Sequence, residues 1–136
     1  MKRIHLLSGL LFLVVFAVTG QYMLRYLGLP DQEMSAERMT YRASHMYLLF
    51  VGAINVVIGC YWIERKGQLR KNLQNFGSLM IVISQPVLLS AFLIEPQTEG
   101  PSRDITFLGC LLVLGGVILS LGSSFPVRQA SVQETA

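Results

Sequence analysis

The chain has 136 residues, of which 52% are hydrophobic and 14% are charged, and its mean hydropathy is +0.51. The charges fall in a few clusters between long apolar stretches, so no helix of this chain would present a charged face to water along its whole length. This composition argues against a soluble monomer. The abundance of aliphatic and aromatic residues excludes intrinsic disorder, and two cysteines are too few for a disulfide scaffold.

Four segments are long and apolar enough to cross about 30 Å of hydrocarbon as helices. Runs such as LLFLVVFAV lack the alternation of polar and apolar residues that membrane β-strands need, so the spans are predicted to be helical. The first run is longer than the core of a cleaved signal peptide, which favours a retained helix. The predicted spans are 4–26, 42–63, 73–94 and 105–125, in one domain that covers 1–136 with a short disordered tail at 126–136.

The connections between the predicted spans are short and carry residues that end helices. Pro30 lies in the first connection, Gly67 in the second, and Pro96 and Pro101 in the third. Because short connections make consecutive helices antiparallel neighbours, the sequence predicts an all-α membrane protein with an up-down-up-down four-helix bundle.

The distribution of charge predicts the orientation of this bundle. An N terminus in the cytoplasm places seven of the eleven basic residues, with every lysine, on the inner side. Six of the eight acidic residues then lie on the outer side. We therefore expect both termini to be cytoplasmic, in a bacterial plasma membrane. The basic clusters beside the bilayer are suited to anionic lipid, and nothing in the sequence favours nucleic acid as a partner.

Small residues form stripes on the second and fourth spans. Gly52 and Gly59 share one helical face with Asn55, and the fourth span carries Gly115, Gly116 and Ser120. Small side chains allow helix backbones to approach closely in lipid, so these stripes predict packing seams. The sequence leaves open whether the seams close within one chain or between the subunits of a homo-oligomer or larger complex.

Two amides are predicted near the middle of the membrane. Asn55 and Gln85 have similar depths on helices two and three, so a hydrogen bond between them would satisfy both. Pro86 removes the bond to the carbonyl of Val82 and predicts a kink there, with Ser84 or a water molecule as the replacement donor. Polar packing at a kink and a midplane binding or hinge site are both compatible with this pattern.

A polar cluster near the outer ends of the spans is the candidate ligand site. Its members are Gln21, Tyr22, Arg25, Arg42, His45 and Glu95. Arg42 and His45 share a helical face, and His45 is predicted about one turn below the interface, where an ionisable residue is costly to bury. Arginine suits an anionic head group, and histidine can donate to a quinone carbonyl. Arginines that reach lipid phosphates and tyrosines of the aromatic belt are the alternative interpretation.

No cofactor or metal is predicted. His5 and His45 are expected at opposite ends of the bundle and cannot share a haem iron, and no carboxylate is placed to orient His45 in a catalytic triad. The sequence therefore leaves enzymatic activity undecided and favours a structural or accessory membrane subunit. The alternative function is binding or transport of a small anionic, lipid or quinone-like ligand between helices one and two.

Overall fold

A computed structural model of the protein describes residues 1–26, 36–97 and 102–124. Across these ranges the chain forms four α-helices and no strand, and a 3₁₀ turn, Glu95–Gln97, follows the third helix directly. The helices are α1 (Lys2–Tyr26), α2 (Ala36–Cys60), α3 (Gln68–Ile94) and α4 (Asp104–Gly122). The predicted all-α four-helix bundle is confirmed.

All four helices are long and apolar enough to cross a membrane. The polarity of the bundle is the reverse of that in a water-soluble protein. Large apolar side chains such as Leu7, Val18 and Phe50 are exposed on its surface, whereas the side chains of His5 and Asn55 are fully buried. Hydrocarbon solvates the first group and cannot solvate the second, so this arrangement is that of a membrane protein.

The helices extend beyond the predicted spans at several ends. Helix α2 begins at Ala36 rather than residue 42, and α3 begins at Gln68 rather than residue 73. The hydroxyl of Thr40 donates a 3.0 Å hydrogen bond to the carbonyl of Ala36. Hydropathy marks where lipid contact ends, whereas helical hydrogen bonding continues until a residue breaks it. At its other end α2 stops early, at Cys60 rather than residue 63. The predicted tail at 126–136 lies outside the described residues.

The helices pack as two hairpins. Contacts are most extensive between α1 and α2 and between α3 and α4, and contacts between α2 and α3 join the two hairpins. We call the end of the bundle where α1 and α3 begin the basic end. Its cations are Lys2, Arg3, Arg65, Lys66, Arg70 and Lys71.

Glycines set the closest approaches within each hairpin. A Cβ atom added at Gly77 of α3 would lie 2.6 Å from the carbonyl oxygen of Gly116 of α4, and one added at Gly116 would lie 2.6 Å from the carbonyl oxygen of Gly77. A side chain at either position would push the two backbones apart. The predicted seam residues Gly116 and Ser120 therefore pack within the chain.

The second predicted seam also closes within the chain. A Cβ atom at Gly59 would lie 2.6 Å from the Leu6 side chain of α1, and one at Gly52 would lie 3.4 Å from the carbonyl oxygen of Gly9. Gly115 is less restricted, because its added Cβ would approach only the flexible end of Met80, at 2.9 Å. The glycines named for helix packing thus bring helices of the same chain together.

Candidate functional site

His45 of α2 packs against α1 through two contacts. Its ring stacks on Phe16 with 4.0 Å between the ring centroids, and its Nδ1 lies 3.0 Å from the hydroxyl oxygen of Thr19. That hydroxyl points its hydrogen at the carbonyl oxygens of Val15 and Phe16, at 2.9 and 3.0 Å. Its oxygen is therefore the acceptor, and Nδ1 of His45 carries the donated hydrogen. Nε2 is the ring nitrogen that remains available to a ligand.

A cavity of about 340 Å³ lies beside His45, between α1 and α2. Its lining residues are Gly20, Met23, Arg42, His45 and Met46. This volume falls within the range of small-molecule sites. The lining combines an arginine and an imidazole with methionines and a glycine, which suits a ligand with a polar or anionic group on an apolar body. The structure thus brings Arg42 and His45 together, as the sequence predicts.

The other candidates on α1 lie elsewhere. Gln21, Tyr22 and Arg25 line a separate open groove of about 690 Å³ that is formed by residues of α1. Each residue turns a helix by about 100°, so these three side chains leave α1 on a different side from Gly20 and Met23. The polar residues that the sequence places at one depth are therefore divided between two surfaces.

Glu95 has a different environment from the one predicted. Its carboxylate is buried and accepts a 2.7 Å hydrogen bond from the backbone N–H of Thr106 and another from the Thr106 hydroxyl. Arg103 approaches it with Nε at 3.9 Å. Thr106 lies in the first turn of α4, whose N–H groups have no acceptor within the helix. Glu95 therefore caps α4 and does not line the cavity beside His45.

The predicted pair of Asn55 and Gln85 is wrong. The side-chain oxygen of Asn55 lies 2.7 Å from Nδ1 of His5, and Gln85 donates a 3.4 Å bond to the carbonyl of Ser8. Both predicted depths are displaced, because α2 ends at Cys60, three residues early, and α3 begins at Gln68, five residues early. Gln85 lies seven residues beyond Ser78, or about 10 Å of helix above the level of Asn55.

Pro86 lies within α3, which continues through it to Ile94. Ser84, expected to reach the carbonyl of Val82, instead donates a 2.7 Å hydrogen bond to the carbonyl of Ile81. Gln85 and Ser84 are both buried, whereas Pro86 is exposed. These side chains satisfy their own hydrogen bonds across and along helices, which is what polar packing in a membrane requires.

A second polar cluster, which the sequence does not predict, lies near the basic end. His5 of α1 contacts Asn55 of α2 and Ser78 of α3, and its ring lies 5.6 Å from that of Trp62. The sequence places His5 at this end but gives no partner for it, because serines occur on every helix and asparagines on both α2 and α3. The sequence does not mark the early end of α2, which places Asn55 at the level of His5, because the apolar run continues through Trp62 and Ile63.

The Gln74 side chain and the backbone of Gly67 define the connection after α2. Gln74 of α3 donates a 2.9 Å hydrogen bond to the carbonyl of Ile63 and accepts one from the backbone N–H of Arg65 at 3.4 Å. Gly67 then adopts a φ of 94°, which favours glycine. Among the described residues, no group of three His, Cys, Asp or Glu side chains is placed to hold a metal ion.

Comparison with known proteins gives a distant similarity. Over 97 residues, the chain is 27% identical to an uncharacterized MFS-type transporter, YwoD, of Bacillus subtilis (strain 168). The alignment covers 69% of this chain and 21% of the transporter, so the chain spans about a fifth of the length of the curated relative it matches. No family model and no solved structure matches the chain. The similarity and the four apolar helices together support a membrane protein.

Proposed function

We propose that the protein binds a small amphiphilic anion in the cavity beside His45 and takes part in its passage across the membrane. The cavity between α1 and α2, with Arg42 and His45 in its lining, is the observation that carries this proposal. Arg42 supplies a permanent positive charge. His45, held by Thr19 through Nδ1, offers Nε2 as a second polar contact.

The apolar part of the lining suggests the rest of the ligand. Met23 and Met46 flank the two polar residues, and methionine adapts to ligands of varied shape. A ligand that reaches this cavity also passes through or beside lipid, which favours an apolar body. The similarity to part of an MFS-type transporter supports transport over simple lipid contact.

A structural or accessory role is the other candidate function. The sequence favours it because of the small-residue stripes, but Gly52, Gly59 and Gly116 pack against helices of the same chain. Those glycines are therefore not exposed seams for a second subunit, and an accessory role would need a different surface. The cavity beside His45 makes ligand binding the better-supported function.

Native mass spectrometry of the detergent-solubilised protein tests the proposal, with decane-1-sulfonate as a permanently anionic probe. We expect a one-to-one adduct that decyltrimethylammonium does not displace. Arg42→Gln and His45→Gln should each weaken binding about tenfold, the loss expected for one charged or directional contact. Arg25→Gln is the matched control, because Arg25 lines the other groove. Equal binding by the Arg42 and Arg25 variants would contradict the proposal.

Transport is tested separately in phosphatidylcholine vesicles loaded with decane-1-sulfonate. Vesicles that contain the protein should release the probe faster than protein-free vesicles, and Arg42→Gln should remove the difference. Binding without release would restrict the function to a membrane-embedded binding protein.

A further inference from the structure

The His5 side chain is fully buried near the basic end and joins three helices. Its Nδ1 lies 2.7 Å from the side-chain oxygen of Asn55, and its Nε2 lies 2.6 Å from the hydroxyl oxygen of Ser78. The cluster lies at the opposite end of α1 and α2 from the cavity beside His45. A role for this cluster is therefore independent of the proposed function.

The hydrogen bonds assign the protons of the neutral ring. Asn55 uses its amide nitrogen to donate a 2.9 Å bond to the carbonyl of Val51, so its oxygen faces His5 as an acceptor. Nδ1 of His5 must therefore carry a hydrogen. In the neutral ring Nε2 is then an acceptor, and the hydroxyl of Ser78 donates to it.

The same cluster also accommodates the protonated ring without moving any heavy atom. If Nε2 gains a hydrogen, the oxygen of Ser78 can accept it, provided that the Ser78 hydroxyl turns to another acceptor. Serines in helices donate to carbonyls of the preceding turn. Other helical serines of the described residues do so, among them Ser8, Ser84 and Ser90, which are bonded to the carbonyls of His5, Ile81 and Val87.

Trp62 gives the protonated ring a third favourable contact. Its ring centroid lies 5.6 Å from that of His5, with the two planes inclined by 31°. An indole within about 6 Å of a cation attracts it through the electron-rich face. Two oxygen acceptors and an aromatic ring can thus share the charge of an imidazolium.

The charged groups around the cluster oppose permanent protonation. Three parts of the chain at the basic end carry charged groups. They are the amino group of Met1 with Lys2 and Arg3 at the start of α1, the segment after α2 with Glu64, Arg65 and Lys66, and the start of α3 with Arg70 and Lys71. Within the described ranges no carboxylate forms a salt bridge with His5. Because most of these groups are cations, no counter-ion holds a proton on the ring, and the charge of the ring depends on the pH.

We infer that His5, Asn55 and Ser78 form a reversible proton-binding site at the basic end of the bundle. One proton adds to the lone pair of Nε2, and the direction of the bond between His5 and Ser78 reverses. His5 lies in the first turns of α1, beside the exposed Lys2 and Arg3, so the proton has a short path to water.

The fluorescence of Trp62 reports the charge of His5 directly, because Trp62 is the single tryptophan of the chain and an adjacent imidazolium quenches an indole. The protein is placed in phosphatidylcholine nanodiscs and titrated between about pH 4 and pH 9. We expect a one-proton decrease of about twofold in emission toward acid.

Variants separate a proton site from a merely structural histidine. His5→Gln should abolish the decrease, whereas His45→Gln, which removes the other histidine, should leave it in place. Asn55→Asp places a carboxylate beside Nδ1 and should move the midpoint up by about one to two pH units. Circular dichroism verifies that each variant keeps its helices. A flat titration of the unmodified protein, or an unchanged transition in His5→Gln, would overturn the inference.

Discussion

The carboxylate of Glu95 holds the first turn of α4 through Thr106, accepting a 2.7 Å hydrogen bond from its backbone N–H and another from its hydroxyl. Glu95, which follows α3, thus supplies the hydrogen-bond acceptor for a backbone N–H of α4. Without this contact a backbone N–H of α4 would lack an acceptor, and the buried carboxylate would lose two hydrogen bonds.

Loss of this cap should destabilise the bundle. We expect Thr106→Val, which removes the hydroxyl and retains the backbone N–H, to lower the free energy of unfolding by about 1–3 kcal/mol. Glu95→Gln should act in the same direction, since its neutral oxygen is a weaker acceptor. Unfolding in a denaturing detergent measures both. Glu64→Gln is the control, because Glu64 is exposed; an equal effect of that variant would count against the cap.

The crossing of Gly77 and Gly116 gives a second prediction. Gly116→Ala should destabilise the bundle by about 1–3 kcal/mol, because the added methyl group would lie 2.6 Å from a backbone oxygen that cannot move aside freely. Gly115→Ala should have a smaller effect, since its methyl group meets only the end of Met80. The same unfolding measurement compares these neighbours. A loss at Gly116 no larger than the loss at Gly115 would contradict the special role of the crossing.

Thr19 should act on ligand binding through His45. Thr19→Val removes the acceptor of the 3.0 Å bond that fixes the imidazole, and we expect it to weaken decane-1-sulfonate binding about three- to tenfold. In a His45→Gln background the same change should have little further effect. Native mass spectrometry of the four combinations measures this coupling. Additive losses would indicate that Thr19 affects packing rather than the position of the ring.

The orientation predicted from the basic residues is testable by cysteine labelling in intact cells. In a background with Cys60 and Cys110 replaced by serine, Lys66→Cys should resist a membrane-impermeant maleimide until the cells are permeabilised. Ser102→Cys, an exposed position at the opposite end, should react without permeabilisation. The reverse pattern would place the basic end outside the cell.

The helices and their antiparallel order follow from the sequence, because an apolar run of about 20 residues crosses the bilayer as a helix. Hydropathy determines the residues at which these helices end less well. Ala36 to Tyr41 are helical although they are too polar to count as part of a span, and Trp62 and Ile63 are apolar although α2 has ended at Cys60.

Contacts between helices depend on rotation and register, which hydropathy does not determine. Arg42 and His45 lie three residues apart on one helix, so their shared face is fixed locally, and the cavity brings them together as expected. The partnership of His5 with Ser78 spans 73 positions of sequence. It depends on the offset between α1 and α3, and the errors at the end of α2 and at the start of α3 together paired Asn55 with the wrong amide.

The division of the bundle into two hairpins has a consequence for how the protein assembles. Each hairpin closes its own glycine crossing, so each can form as a separate insertion unit in the bilayer. The bonds of His5 to Ser78, Gln85 to Ser8 and Arg103 to Ser44 connect one hairpin to the other. The surface between the two units thus combines these polar pairs with aromatic contacts such as that of Tyr41 with Phe92.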